Sequence, residues 1–138
     1  MRSFFLSYPA VIKLSGELKQ LDKRCYTGGM ATYEDFLRLD IRVGKIIAAN
    51  PFPEARKPAY KLTIDFGPLG VKRSSAQITD LYKPEDLIGK LVVAVVNFPP
   101  KRIAGFSSEV LVLGAIFDEG KVSLLSPDHD VPLGSRIL

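Results

Sequence analysis

The amino-acid sequence predicts an all-β protein, a small five-stranded barrel with short flanking helices. Apolar and polar residues alternate with a period of two in several segments, which is typical of half-buried strands. Glycine- and proline-rich turns separate these segments, and helical patterns are confined to two short stretches. About five main strands in a chain of this length match a closed or nearly closed barrel of the OB type.

The first predicted elements lie near the start of this barrel. Residues 32–37 indicate a short helix that Thr32 can cap and whose first turn carries two acidic residues. Residues 39–50 predict the first long strand. The alternation of this strand changes phase at Gly44 and Lys45, and one extra residue beside a glycine is typical of a β-bulge. A bulged and curved first strand is what a small closed barrel requires.

The other predicted elements follow in order to the C-terminus. Residues 60–66 alternate most cleanly and predict the second strand. Residues 71–78 carry polar groups on both faces, which fits either a solvated edge strand or a strand that faces a ligand. Residues 84–89 indicate a second short helix, with proline at its start and glycine at its end. Further strands are predicted at residues 91–96, 110–117, 122–125 and 131–138.

Two of these strands, at residues 92–96 and 111–117, are apolar on both faces. A barrel strand turns one face inward, so the outward faces of these two strands need a cover. That cover could come from the terminal segments or from a second copy of the chain. The favoured interpretation is a homodimer with two-fold symmetry.

The chain divides by composition into an N-terminal extension of unknown role, residues 1–29, and a domain at residues 30–138. The extension holds five lysines and arginines against two acidic residues, whereas the domain holds fourteen against thirteen. The net charge of +4 therefore lies mainly outside the domain, and charge alone does not require a nucleic-acid partner. Apolar runs all fall short of the roughly 18 residues of a membrane span, so we expect a cytoplasmic protein without stable membrane insertion.

The connection at residues 97–109 is the predicted functional loop, because two apolar strands hold its ends. It contains two phenylalanines, Phe98 and Phe106, together with the basic pair Lys101 and Arg102. Two adjacent prolines stiffen the start of the loop. The alternative is that the two phenylalanines fold inward and belong to the core, which is the usual place for this residue type.

Catalytic residues, cofactors and metals are not expected in this chain. His129 lies between two acidic residues in a predicted turn, where a histidine is usually solvated. One histidine and one cysteine, Cys25, do not form the usual zinc patterns. The sequence also contains neither a phosphate-binding loop nor a Gly-x-Ser-x-Gly nucleophile motif.

A series of ordered motifs carries a family resemblance. The motifs are LDIRVGKI at positions 39–46, YKL at 60–62, Asp65 with Gly67, GK at 89–90, Asn97, Gly105 and Ser108. This series resembles the tRNA-binding OB-domain family, whose members are appended to several aminoacyl-tRNA synthetases or stand alone. The resemblance covers residues 31–138 and implies an OB fold without enzymatic activity.

Within that family, three segments resemble the CsaA family of export-related chaperones. They are ARKPAYKL at positions 55–62, SSAQIT at 74–79 and SEVLVLG at 108–114. This narrower resemblance implies a homodimer that binds unfolded polypeptides or preproteins and assists export, with the motor ATPase SecA as a further partner. The tRNA-binding pattern ends its loop in Ser-x-Gly-Met, and here Val110 and Leu111 replace the last two residues. A branched valine hinders the close backbone approach that glycine allows, yet binding of tRNA remains the alternative.

The predicted binding residues combine aromatic, cationic and small polar side chains. They are Arg42, Arg73, Ser74, Ser75, Gln77, Phe98, Lys101, Arg102, Phe106 and Ser108. Apolar rings with a cationic rim suit a peptide pocket, and the serines and the amide can bond an extended backbone. An RNA ligand would use nearly the same groups through base stacking and phosphate contacts, so residue types alone leave both ligands open. The nearly neutral domain favours peptide.

Overall fold

Short strands joined by tight turns make up most of this protein, which is represented by a computed structural model that describes residues 29–138. Arg38 is the last residue of one compact unit, and residues 39–138 form the second. Apart from Gly29, the predicted N-terminal extension lies outside the described residues. Within residues 29–138, every helix is too short or too polar to cross a membrane.

Helix α1, Tyr33–Leu37, lies in the first unit and begins with the predicted cap. The backbone N–H of Asp35 donates to Thr32 Oγ1 at 3.2 Å, and the backbone N–H of Thr32 donates to Asp35 Oδ2 at 2.9 Å. This reciprocal arrangement satisfies two N–H groups that a helix start otherwise leaves unpaired. The predicted helix and its cap are confirmed.

The second unit is built on a five-stranded antiparallel sheet with the order β3-β2-β1-β4-β7. Its strands are β1 (Ile41–Pro51), β2 (Tyr60–Asp65), β3 (Val71–Ala76), β4 (Leu91–Val95) and β7 (Leu111–Val112). Two further hairpins are β5 (Lys101–Ile103) with β6 (Phe106–Ser108), and β8 (Gly114–Phe117) with β9 (Lys121–Leu124). A 3₁₀ turn at Gly67–Leu69 and helix α2, Pro84–Leu87, complete the unit. The predicted all-β, five-stranded class is confirmed.

Strand β1 is long enough to pair with β4 in its first half and with β2 in its second. Its bulge lies between Ile46 and Ala48, so Ile47 is the extra residue. The sequence placed the bulge too early, at Gly44 and Lys45. Gly44 serves packing instead, because a Cβ there would lie 2.6 Å from Ile64 Cγ2.

The predicted continuous strand at residues 110–117 is wrong in its second half. The chain leaves the main sheet after β7, and Gly114–Phe117 pairs with β9 in a separate hairpin. Ile116 and Phe117 are each 44% exposed in the monomer. An apolar run shows that residues avoid water, but it does not show which surface buries them.

The predicted last strand at residues 131–138 is also not regular. This segment makes one isolated bridge, between Arg42 and Arg136. Its backbone is nevertheless hydrogen-bonded to the first half of β1. Gly134 N–H donates to the carbonyl of Val43 at 2.8 Å, and Val43 N–H donates to the carbonyl of Ser135 at 2.9 Å. Gly134 has a positive φ of 92°, which breaks the extended conformation that a strand needs.

The barrel is nearly closed where β3 meets the segment before β7. The hydroxyl of Ser74 is fully buried and donates to the carbonyl of Val110 at 2.9 Å. The backbone N–H of Glu109 donates to the carbonyl of Arg73 at 2.8 Å. β3 is an edge strand of the main sheet, and its polar residue Ser74 bonds the segment before β7. Closure of the barrel therefore explains some of the polar residues in this strand. The core inside consists mainly of Ile, Leu, Val and Phe66.

Candidate binding site

The outward face of β1, β2 and β3 presents rows of side chains, which the strand register defines. One row contains Ala48, Thr63 and Arg73, and the next contains Asn50, Lys61 and Ser75. Neighbouring residues such as Leu62 and Ser74 are fully buried on the inner side. Because side chains alternate between the two faces of a strand, the two rows lie outside the barrel. Lys61 and Arg73 come from adjacent strands, and a third row on the same face, Lys45, Asp65 and Val71, adds a further cation and a carboxylate.

A small apolar group, the loop cluster, lies against this face. It consists of Phe52, Ala55 and Ala59 from the β1–β2 connection and of Ile103 and Phe106 from the β5–β6 hairpin. The two phenyl rings meet edge to face, with centroids 5.4 Å apart and an interplanar angle of 61°. Phe52 is 3% exposed and Phe106 is 8% exposed. The loop cluster is therefore a second apolar core, formed by two connecting segments.

Two cations cover the rings of the loop cluster. Lys61 Nζ lies 4.8 Å from the ring centroid of Phe52 and 5.5 Å from that of Phe106. The guanidinium carbon of Arg73 lies 4.8 Å from the centroid of Phe106. Cation–ring contacts of this kind stabilise by about 0.5–2 kcal/mol, depending on how dry they are. The site thus places positive charge directly over aromatic surface.

The predicted functional loop contains a regular hairpin rather than an irregular connection. Ala104 and Gly105 form its turn with φ values of 48° and 85°, the positive values that a two-residue turn of type I′ requires. The paired rows place Lys101 on the same face as Ile103 and Phe106, and Arg102 on the opposite face. The basic pair is therefore divided between the two sides of the hairpin.

Arg42 and two of the predicted serines have structural partners. Arg42 Nε donates to Asp40 Oδ1 at 2.6 Å, and its Nη1 donates to the carbonyl of Gly134 at 2.9 Å. Ser74 is buried at the barrel closure, and Ser108 is 1% exposed and accepts a hydrogen bond from the backbone N–H of Ser75 at 3.0 Å. These contacts fix the barrel that carries the outward face.

The other predicted residues surround the outward face by sequence and register. Arg73 and Ser75 lie on it, and Phe106 lies in the loop cluster beside it. Gln77 follows β3 directly and is half-buried. Phe98, also half-buried, lies in the segment that leads into β5. The structure therefore brings two of the predicted residues, Arg73 and Phe106, into direct contact.

A family model described as a putative tRNA binding domain matches residues 41–136. The chain belongs to the tRNA-binding domain family. The CsaA chaperone from Bacillus anthracis str. Ames is 60% identical in sequence, with a TM-score of 0.77 over 80% of this chain and 100% of that one. The CsaA chaperone from Picrophilus torridus is 59% identical, with a TM-score of 0.74 over 79% of this chain and 100% of that one.

The methionine–tRNA ligase of Thermococcus kodakarensis is a relative of a different kind within the tRNA-binding domain family. It is 41% identical over 107 residues, which make up 77% of this chain and 14% of the ligase. The chain therefore spans about one seventh of the length of that relative. Within the family, the chain is CsaA-like across the full length of both chaperones.

Sequence reasoning missed Lys61 and Phe52 as members of the site. Lys61 occupies an ordinary polar position in an alternating strand, and Phe52 looks like any apolar residue after a proline. A signal was nevertheless present, because the CsaA-like segment at positions 55–62 contains both Ala59 and Lys61. Only the register and the docking of the hairpin bring these residues to Phe106 and Arg73.

Proposed function

We propose that this chain is a CsaA-like, ATP-independent chaperone that binds unfolded or preprotein segments and assists protein export. The single observation that carries the proposal is the 60% identity to a CsaA chaperone over the whole length of that chaperone. The likeness to the methionine–tRNA ligase is lower and covers 14% of the ligase. The activity of the ligase as a whole is therefore a poor guide to this chain.

The candidate site supports a polypeptide ligand by its chemistry. OB barrels bind oligonucleotides and oligosaccharides on the outward face of strands two and three and on the two loops beside it, and we propose the same face for a polypeptide ligand. Here that face carries three cations, Lys45, Lys61 and Arg73, together with the carboxylate of Asp65 and the hydroxyl of Ser75, and the loop cluster lies beside it. Apolar side chains of a client can pack on the loops, and its backbone can bond the small polar groups, so that many sequences are accepted.

The charge of the domain also favours polypeptide over nucleic acid. Residues 30–138 hold fourteen lysines and arginines against thirteen acidic residues. A binder of polyanions gains most of its affinity from the release of counterions, which requires several cations on one face. Binding through buried apolar surface does not depend on such a field.

The proposal includes assembly and partners. Ile116, Phe117 and Leu125 are each more than two-fifths exposed in the monomer, and a second copy of the chain would cover them in a homodimer. Light scattering should then give twice the 15.2 kDa of one chain. The same proposal includes the motor ATPase SecA as a partner of this protein. It also includes a cytoplasmic location, because an export chaperone acts before its client crosses the membrane.

Binding of tRNA is the second candidate function. The family description and the ligase relatives favour it, and Lys61 and Arg73 could contact phosphates. Base stacking would need an open aromatic face, whereas Phe52 and Phe106 are almost fully buried. The same burial keeps these ring faces from a polypeptide side chain, so in this conformation either ligand would contact mainly the cations and polar groups of the outward face.

A parallel salt titration tests the two functions. Binding to an unfolded polypeptide should persist between about 50 and 200 mM salt, whereas tRNA affinity should fall steeply, with a slope of about −0.7 for each phosphate contact. Arg73→Gln should reduce the salt slope of any tRNA binding, and Lys121→Gln, an exposed cation on β9, is the matched control. Failure to bind unfolded polypeptide or to suppress its aggregation would reject the chaperone proposal.

A further inference from the structure

The loop cluster joins apolar side chains from two separate connections. Phe52, Ala55 and Ala59 come from one connection and form the receiving wall, and Phe106 enters from another connection. None of the five cluster members belongs to the main core group of the described residues. Phe106 thus occupies an apolar hollow that lies apart from the barrel interior.

The hairpin that carries Phe106 is anchored to the barrel at its base rather than along its length, because Ser108 at the end of β6 accepts a hydrogen bond from the backbone N–H of Ser75 in β3. Strands β5 and β6 have three residues each and form a two-stranded sheet of their own. The turn between them places Ala104 at a φ of 48°, a conformation that costs energy for any residue with a Cβ. Short elements with few pairing partners open at lower cost than the central strands of a sheet.

The two cations stay behind if the hairpin moves, because they belong to the barrel strands. Lys61 is on β2 and lies over both rings, and Arg73 is on β3 and lies over Phe106. With Phe106 withdrawn, Lys61 would still face Phe52, and both cations would face the vacated position. A cation over an apolar hollow selects an aromatic ring, because the face of the ring carries negative electrostatic potential.

We propose that Phe106 is a displaceable plug, and that an aromatic side chain of an unfolded polypeptide takes its place between Phe52, Lys61 and Arg73. The inference rests on the proposed chaperone function and specifies its ligand as a segment that contains phenylalanine or tyrosine. The aromatic ring of the client replaces the ring of Phe106, so the apolar hollow stays covered from water in both states. Without a bound client, the ring of Phe106 therefore covers the apolar surface formed by Phe52, Ala55 and Ala59.

The sequence permits a direct optical test, because it contains no tryptophan. The variant Phe106→Trp carries one indole, whose emission and accessibility to acrylamide report whether the plug is seated. Saturation with a short uncharged peptide that contains one phenylalanine should shift the emission to the red and raise quenching towards that of a free indole. The same peptide with alanine in place of phenylalanine should do neither.

Two alanine variants in the same cluster should act in opposite directions. Phe106→Ala removes the competitor, so the affinity for the phenylalanine peptide should rise, by about threefold or more if the plug is mostly seated. Phe52→Ala removes part of the receiving wall, so the affinity should fall. Thermal unfolding of both variants checks that each still folds, and the indole experiment covers the case in which one does not.

The outcomes separate this inference from the proposed function. If the peptide binds while the indole stays protected, or if Phe106→Ala weakens binding as Phe52→Ala does, then Phe106 is a fixed wall and the plug is rejected while the chaperone function stands. If neither peptide nor unfolded polypeptide binds at any concentration below the solubility limit, both are rejected.

Discussion

The main barrel core and the loop cluster contain the same kinds of residue but are restrained in different ways. The barrel core is enclosed by five strands whose backbones are hydrogen-bonded along their lengths. The loop cluster is held by two connections that meet through side chains, with cations over its rings. Burial alone therefore does not distinguish a permanent core from a surface that can exchange partners. The extent of the backbone pairing differs between them: the main sheet has five strands, whereas the Phe106 side of the loop cluster belongs to a separate two-stranded hairpin.

The difference suggests a division of work in the molecule. The hydrogen bonds of a backbone ladder break cooperatively, so we expect the barrel to unfold as a single unit. Side-chain contacts between loops can be replaced one at a time, which suits a site that meets varied ligands. Changes in the barrel should therefore affect stability, and changes in the loop cluster should affect binding.

The largest expected effect comes from filling space inside the barrel. A Cβ at Gly44 would lie 2.6 Å from Ile64 Cγ2 and 2.7 Å from Phe66 Cε1, both in the closely packed core. Because these contacts are far closer than real Cβ atoms show, Gly44→Ala should lower the free energy of unfolding by about 3 kcal/mol or more through overpacking. The urea midpoint measures this change. Ala115→Val, at an exposed position of β8, is the control and should leave the midpoint nearly unchanged. Equal stability of wild type and Gly44→Ala would contradict the described packing.

A medium effect is expected at the barrel closure, where two adjacent serines differ in surroundings. Ser74→Ala leaves the buried carbonyl of Val110 without its hydroxyl donor, which should cost about 1–3 kcal/mol. Ser75→Ala, on the outward face, should change stability by less than about 0.5 kcal/mol. Chemical denaturation of the pair measures the difference. Similar losses in both variants would indicate that the closure does not depend on the Ser74 hydroxyl.

The smallest expected effect lies in the hairpin of the loop cluster. Ala104→Asn places a residue that tolerates positive φ in the turn and should stabilise the hairpin by about 0.5–1 kcal/mol. Gly105→Ala should act in the opposite direction, since Gly105 has a φ of 85°. Hydrogen exchange at the amides of β5 and β6 measures both changes. A shift in the exchange of β1 amides as large as that of the hairpin would contradict the separation of the two regions.

The sequence was sufficient for the fold class because alternation and turn residues are local signals. It indicated the phase change in β1, but it assigned the bulge to Gly44 rather than Ile47, since a glycine can serve either a bulge or close packing. The long apolar run at residues 110–117 hid a change of sheet at Gly114. Periodicity cannot reveal such a change when every residue in the run is apolar.

The site was accessible from sequence only in part. Phe106 and Arg73 were predicted as binding residues, and the structure places them in contact. Lys61 and Phe52 were not predicted, because their role depends on which loop docks on which strand. The hairpin was also missed, because Ala-Gly is a weaker turn signal than Asn-Gly or Asp-Gly.

The side chains that close the barrel also occupy backbone groups of its edge strand β3. The backbone N–H of Arg73 donates to Glu109 Oε1 at 2.8 Å, and that of Ser75 donates to Ser108 Oγ. These two amides are consequently occupied and cannot recruit an incoming extended chain as an additional strand. Under the proposed function, β3 is thereby protected at these two positions from pairing with aggregation-prone client segments.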